Sequence, residues 1–194
     1  STEATDLLID KGFDPAMGFV PRRGFYKANF NGEFTVYPGS VPWIRSMVHE
    51  FRPTVYWSLD GKWESYRIMS AFVNWQLESG DRIELNANPE GERLVEPFEI
   101  ADGVVIQPGA YHYVRYRLET QLAAKRLVSG QLTWWLGSFY DGSLDQLEAE
   151  VRIKPPELFT LEVSGTRNIG HLEAGDFDQT VVGVRGVLNV SSDL

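Results

Sequence analysis

GQLTWWLGSFYDGSLDQLEAEVRIK, Gly130 to Lys154, is the stretch that decides the fold. Leu132, Trp134 and Leu136 are apolar at every second position, and so are Leu147, Ala149 and Val151. Side chains of a strand alternate between two faces, so each run reads as a strand with one apolar side. Asp141-Gly142 lies between the runs and is the strongest short signal for a hairpin. A two-residue turn there predicts Leu136 opposite Leu147, Trp134 opposite Ala149 and Leu132 opposite Val151. A three-residue turn would set Trp134 against Glu148 and mix the faces, because a one-residue slip moves every side chain to the other side. The opposite face of the hairpin carries Gln131, Thr133, Trp135, Glu148, Glu150, Arg152 and Lys154.

The same alternation extends in both directions. From Met47 to Ala87 the apolar residues sit mainly at odd positions, including Phe51, Val55, Trp57, Trp63, Met69, Ala71, Val73, Trp75, Ile83 and Leu85. Leu59-Asp60-Gly61 and Glu78-Ser79-Gly80 read as three-residue loops whose final Gly takes the left-handed conformation. They predict Trp57 opposite Trp63 and Trp75 opposite Ile83, with all the odd apolar residues on one face. Arg67 and His49 fall on that face too. Residues 110–127 form a further strand, and Phe177 to Val190 a last one. Residues 89–109 read as an excursion, 167–176 as a loop, and 1–24 as an irregular leading segment. The second arm of the hairpin is expected to run past Pro155-Pro156 to about Gly165.

The expected fold is therefore all-β: an antiparallel meander of long strands, a β-barrel or part of one, as a single domain over 1–194. The pattern yields about seven strands. Runs such as 62–78 and 110–127 are about three times the usual strand of 5–6 residues. Trp43 precedes Trp57 by 14 residues and Trp63 precedes Trp75 by 12. At about 3.3 Å per residue and a tilt near 45°, these separations span roughly 28–33 Å, close to a membrane's apolar band with its two aromatic girdles.

Composition narrows the function classes. The chain has 194 residues, a net charge of −9 and no cysteine. Without basic clusters, an acidic chain is a poor partner for nucleic acid. Without cysteine there is neither a disulfide scaffold nor thiolate chemistry. His49-Glu50 begins like a zinc-protease motif, but Pro53 stands where the second His belongs. Gly165 to His171 has the spacing of a phosphate loop with His in place of Lys. No cofactor, metal site or catalytic set is expected. Asp141, Asp145, Glu148 and Glu150 form an acidic run that a glycosidase-like hydrolase could use. A solvated strand face balanced by Arg152 and Lys154 explains it as well. On the polar face, Tyr111, Tyr113 and Trp135 lie among Arg115, Arg117 and Glu148. Flat rings beside hydrogen-bonding groups suit a carbohydrate. These six residues are the candidate ligand-binding set; filling of a barrel lumen is the plainer explanation.

Several segments, in order, resemble a bacterial domain of unknown function that follows a family-nine-type carbohydrate-binding module. They are Phe13-Asp-Pro-Ala-Met-Gly-Phe-Val-Pro-Arg-Arg23, Gly80-Asp-Arg-Ile-Glu-Leu85, Glu92-Arg-Leu-Val-Glu-Pro-Phe-Glu-Ile100, Val105-Ile-Gln-Pro-Gly-Ala-Tyr111, Ser138-Phe-Tyr-Asp-Gly142, Gly175-Asp-Phe177 and Val184-Arg185. The resemblance implies an outer-membrane β-barrel, or an exported protein, that binds or passes a carbohydrate without catalysis. It implies lipid or detergent as a partner, and further chain segments completing the barrel, because the chain looks like a C-terminal portion. It supplies no catalytic residues. A soluble β-sandwich or small-barrel carbohydrate-binding module is the alternative.

Overall fold

The computed structural model describes residues 2–9, 24–155 and 159–188. The leading motif at 13–23 lies outside these. Among the described residues there is no helix. The strands are β1 Thr2–Ile9, β2 Phe25–Val36, β3 Ile44–Ser58, β4 Trp63–Leu77, β5 Arg82–Leu94, β6 Phe98–Ala101, β7 Val104–Ile106, β8 Gly109–Leu122, β9 Val128–Phe139, β10 Gly142–Ile153, β11 Phe159–Leu172 and β12 Gly175–Leu188. All but β6 and β7 form one sheet in the order β1-β2-β3-β4-β5-β8-β9-β10-β11-β12, and every pairing is antiparallel. The fold is thus the all-β antiparallel meander of long strands, interrupted once by the β6–β7 hairpin.

Four boundaries differ from the sequence reading. Residues 89–109 are not all excursion: β5 continues to Leu94 in pairing with β8, and the excursion is the β6–β7 hairpin. Thr2–Ile9 is a strand, not irregular chain, and pairs along its length with β2. Residues 167–176 are not a loop: β11 continues to Leu172 and pairs with both β10 and β12. β10 ends at Ile153 and pairs with a separate strand that begins at Phe159, so the second arm of the hairpin stops before Pro155 instead of running past it; Pro156 lies outside the described residues. The large sheet therefore has ten strands among the described residues, not about seven.

The β9–β10 register is also corrected. Trp134 lies opposite Leu147, Leu132 opposite Ala149 and Val151 opposite Gly130. The turn is a two-residue one, but its residues are Tyr140 and Asp141, with Tyr140 at φ 48°. Gly142 is already in β10, where a Cβ would stand 1.9 Å from the His171 carbonyl oxygen. Contact with β11, not turn geometry, requires this glycine. The slip is two residues, so the faces expected for the hairpin are unchanged.

The odd-numbered rule fails within β4. Tyr56 pairs with Ser65 but Trp57 with Trp63, so Glu64 is an extra residue. Ala71 pairs with Asn86 but Val73 with Leu85, so Phe72 is another. Each extra residue is a bulge that exchanges the two faces of its strand. Between them, Arg67, Met69 and Ala71 lie on the polar face. Outside them, Trp57, Trp63, Val73, Trp75, Ile83 and Leu85 share the apolar face as expected.

The burial of the two faces is the reverse of a soluble sheet. On the polar face Glu84, Asn86 and Asn88 are each 1 % exposed, and Asn74, Arg115, Glu119 and Thr133 are also buried. A single sheet can cover one of its own faces only by curling around it, which places these residues in the concavity. The apolar face stays open: Tyr26, Phe30, Phe51, Tyr116, Leu132, Trp134, Leu147, Val151, Val163 and Val184 are exposed. A compact apolar cluster occurs at one end, where Ala101, Val104 and Ile106 of the β6–β7 hairpin meet Leu172, Phe139, Tyr140 and Phe177. The hairpin covers the tips of the neighbouring strands there.

Candidate functional site

Alternation on β5 builds the centre of the polar wall. Arg82, Glu84, Asn86, Asn88, Glu90 and Glu92 all project to the concave side. Asn88 donates to Asn86, at 3.1 Å, and Asn86 to Glu84, at 2.8 Å. Glu84 accepts from Arg82 and from Arg117 of β8, and Arg82 reaches Glu119 at 3.3 Å. Burying a carboxylate costs its hydration, and the two arginines and Asn86 offset that loss at Glu84. Farther along, Arg67 binds Glu90, and Arg52 binds Glu50 and Asn31.

All six candidate ligand residues lie on this face, but they do not form one open site. Tyr113 is buried, with its ring 5.3 Å from Phe139 and 5.5 Å from Tyr140. Tyr111 packs edge-on against Tyr140 at 5.1 Å and donates its hydroxyl to the Gln107 carbonyl. Arg115 is buried beneath Phe139 and donates to the Leu144 carbonyl. These three belong to the wall beneath the hairpin. Arg117 spans Glu84 and the Trp135 ring, 5.4 Å from its centroid. Glu148 accepts from Gln146 at 3.0 Å and lines a shallow groove with Gln131, Thr133 and Ser164.

The acidic run is divided between the faces. Asp145 lies on the apolar side and accepts from Trp134 Nε1 at 3.3 Å, whereas Glu148 and Glu150 face the concavity. His49 and His112 are on the apolar side. His112 stacks on Trp63, centroids 4.9 Å apart, and its Nδ1 is 3.0 Å from the Tyr66 hydroxyl. His171 sits by the β11–β12 turn next to Asp176. Among the described residues no group of three His, Asp or Glu side chains could hold a metal ion.

A cavity of about 390 Å³ on the concave side lies over β2–β5 and β8. Lys27, Arg52, Tyr56, Arg67, Glu90 and Tyr113 are among its lining residues, and only Tyr113 is in the predicted set. Lys27 and Tyr56 were legible as paired aromatic and cation only with the β2–β3 register known. Arg67 is reassigned by the Phe72 bulge. The row Glu84-x-Asn86-x-Asn88-x-Glu90 was visible in the sequence as polar alternation.

At the cavity-bearing end of β3 and β4, Trp57 pairs with Trp63. At the opposite end Trp43 and Trp75 are in edge contact at 6.1 Å. No family model, curated protein or solved structure matches the chain.

Proposed function

We propose that this chain is the wall of a non-enzymatic membrane β-barrel of the outer-membrane type, which binds or passes a polar ligand such as a carbohydrate along its concave face. The observation that carries the reading is the inverted burial: Glu84, Asn86 and Asn88 are 1 % exposed while Trp134 is 42 % exposed. In water this arrangement leaves an apolar surface far beyond the few hundred Å² a monomer usually shows. In lipid it is the favourable one.

The belt has suitable dimensions. From Tyr66 to Leu77 on β4, a strand tilted near 45° rises about 26 Å, against an apolar band of about 25 Å. Between the Trp57–Trp63 level and the Trp43–Trp75 level, the strictly alternating apolar positions of β2–β9 carry one charged side chain among the described residues, Arg93, whose guanidinium lies over the Trp63 ring at the edge of the belt. His49 and His112 are the imidazoles on that side. Arg67, whose lipid exposure would cost about 2–4 kcal/mol at the midplane, is on the other side. A soluble sandwich would need a second layer over the belt, and the β6–β7 hairpin covers strand tips alone. The aromatic and hydrogen-bonding groups of the concave face support a hydroxyl-rich ligand.

Co-flotation tests this reading. Protein refolded in detergent and diluted into liposomes should float with the vesicles and resist carbonate extraction. A monomer that stays folded and dispersed without detergent would refute it.

A further inference from the structure

We infer that the cavity over β2–β5 and β8 binds an acidic sugar, one whose ring carries a carboxylate; this rests on the concave face being the ligand-handling side. The strand registers set the site. Lys27 lies opposite Tyr56. One row away, Arg67 lies opposite Glu90, and Glu90 opposite Tyr113. Tyr56 and Tyr113 thus stand on two sides of a cavity of about 390 Å³, within the usual range of small-ligand pockets.

The charges facing the space are unequal. Glu90 has both carboxylate oxygens turned to Arg67, at 3.0 Å to Nε and 3.1 Å to Nη2. Glu92 accepts the Tyr140 hydroxyl at 2.6 Å. The two acids of the lining are therefore engaged with the wall. Arg67 keeps its Nη1 end outside the Glu90 pair and its side chain is 64 % exposed, although it belongs to the concave face. Lys27 holds its ammonium 5.6 Å from the Tyr56 ring centroid. The unengaged positive groups thus face the cavity in a chain whose net charge is −9.

A sugar ring fits this arrangement by laying its C–H face along the tyrosine walls, with hydroxyls toward Thr54 and Glu90. Its carboxylate would then lie between Lys27 and the Arg67 Nη1 end, where charge-assisted hydrogen bonds are strongest. A neutral sugar meets the same walls but brings no anion to the Lys27 ammonium and no charged acceptor to the Arg67 Nη1 end. Selectivity for the acid follows from that difference.

The test uses the whole chain in detergent micelles, titrated calorimetrically with glucuronate and with glucose at constant ionic strength. Glucuronate should saturate and bind at least ten-fold more tightly than glucose. Lys27→Gln should weaken glucuronate about ten-fold and leave glucose unchanged. Arg67→Lys, which keeps a cation beside Glu90, should weaken it without lowering the melting temperature. Equal affinity for the two sugars, no effect of Lys27→Gln, or no saturable glucuronate signal would each overturn the assignment. If such a protein still floats with liposomes, the cavity assignment alone has failed; if it does not float, the membrane reading beneath it has failed.

Discussion

Arg67 and Glu90 meet on the concave face, Nε to Oε1 at 3.0 Å, because Phe72 is one residue too many for the β4–β5 ladder. Without that bulge, strict alternation would carry Arg67 to the apolar side with Trp75 and Val73. The bulge is thus the device that lets one strand keep an arginine inside and a tryptophan outside.

Deleting Phe72 should therefore abolish folding into liposomes, because Arg67, Met69 and Ala71 all change faces. Phe72→Ala should be mild, below about 1 kcal/mol, since the ring is 47 % exposed and the bulge remains. Folded yield, read as the fraction resistant to protease after refolding, checks both. Equal yields for the deletion and the parent would show that the bulge does not set the faces.

Glu84 holds two arginines together. Removing one partner of a buried pair costs about 3–5 kcal/mol. Arg82 and Arg117 side chains are 28 % and 23 % exposed, so the low end of that range applies to Glu84→Ala. The melting temperature should fall, and Glu84→Gln should recover part of the loss through its remaining acceptor. An unchanged melting temperature in Glu84→Ala would contradict the role assigned to this network.

Asp81 clasps two turns at one end of the sheet. It accepts from the Ala123 backbone at 2.9 Å, from the Ser79 hydroxyl at 2.8 Å and from Arg126 at 2.6 Å. Those bonds, the Ala123 amide foremost, hold its carboxyl below the ordinary value. A depressed native pKa contributes stability that is present above the unfolded value of about 4 and lost as pH falls through the native one. Acidification below pH 4 should loosen this end first, and Asp81→Asn should remove that part of the pH dependence. The protection factor of the Ala123 amide, measured against pH, gives the answer; protection that does not fall below pH 4 would refute the clasp.

Much of the fold could be read from alternation alone. Gly61 and Gly80 sit at positive φ, 78° and 90°, in the three-residue loops assigned to them, and the pairings Trp57–Trp63 and Trp75–Ile83 follow. Bulges escaped because a single inserted residue leaves no trace in composition while reversing every side chain beyond it. β11 escaped because Arg167, Gly165 and Gly170 break its apolar pattern. Gly170 is there for contact: a Cβ would lie 2.2 Å from the Phe177 ring. The candidate site was legible as a face, since all six residues project into the concavity. Which of them line a cavity was not, because that depends on curl and on Phe139 and Tyr140, which pack over Tyr113 and, for Phe139, Arg115.

Gly142 gives a check on the corrected turn. Gly142→Ala should destabilise by about 1–3 kcal/mol, the usual range for overpacking, because its Cβ would strike the His171 carbonyl. If Asp141-Gly142 were the turn and Gly142 faced open space, the same change would act only through backbone conformation, and a mutant retaining full stability would contradict the observed register.

Trp134 and Trp135 are adjacent residues on opposite faces, Trp134 opposite Leu118 and Leu147 on the apolar side and Trp135 opposite Arg117 and Gln146 in the concavity. Two variants, each keeping one of this pair with the other tryptophans changed to Phe, can be refolded into bilayers carrying brominated acyl chains. The membrane reading predicts strong quenching of Trp134 and little of Trp135. Equal quenching of the two, or a Trp134 that brominated lipid does not reach, would contradict it.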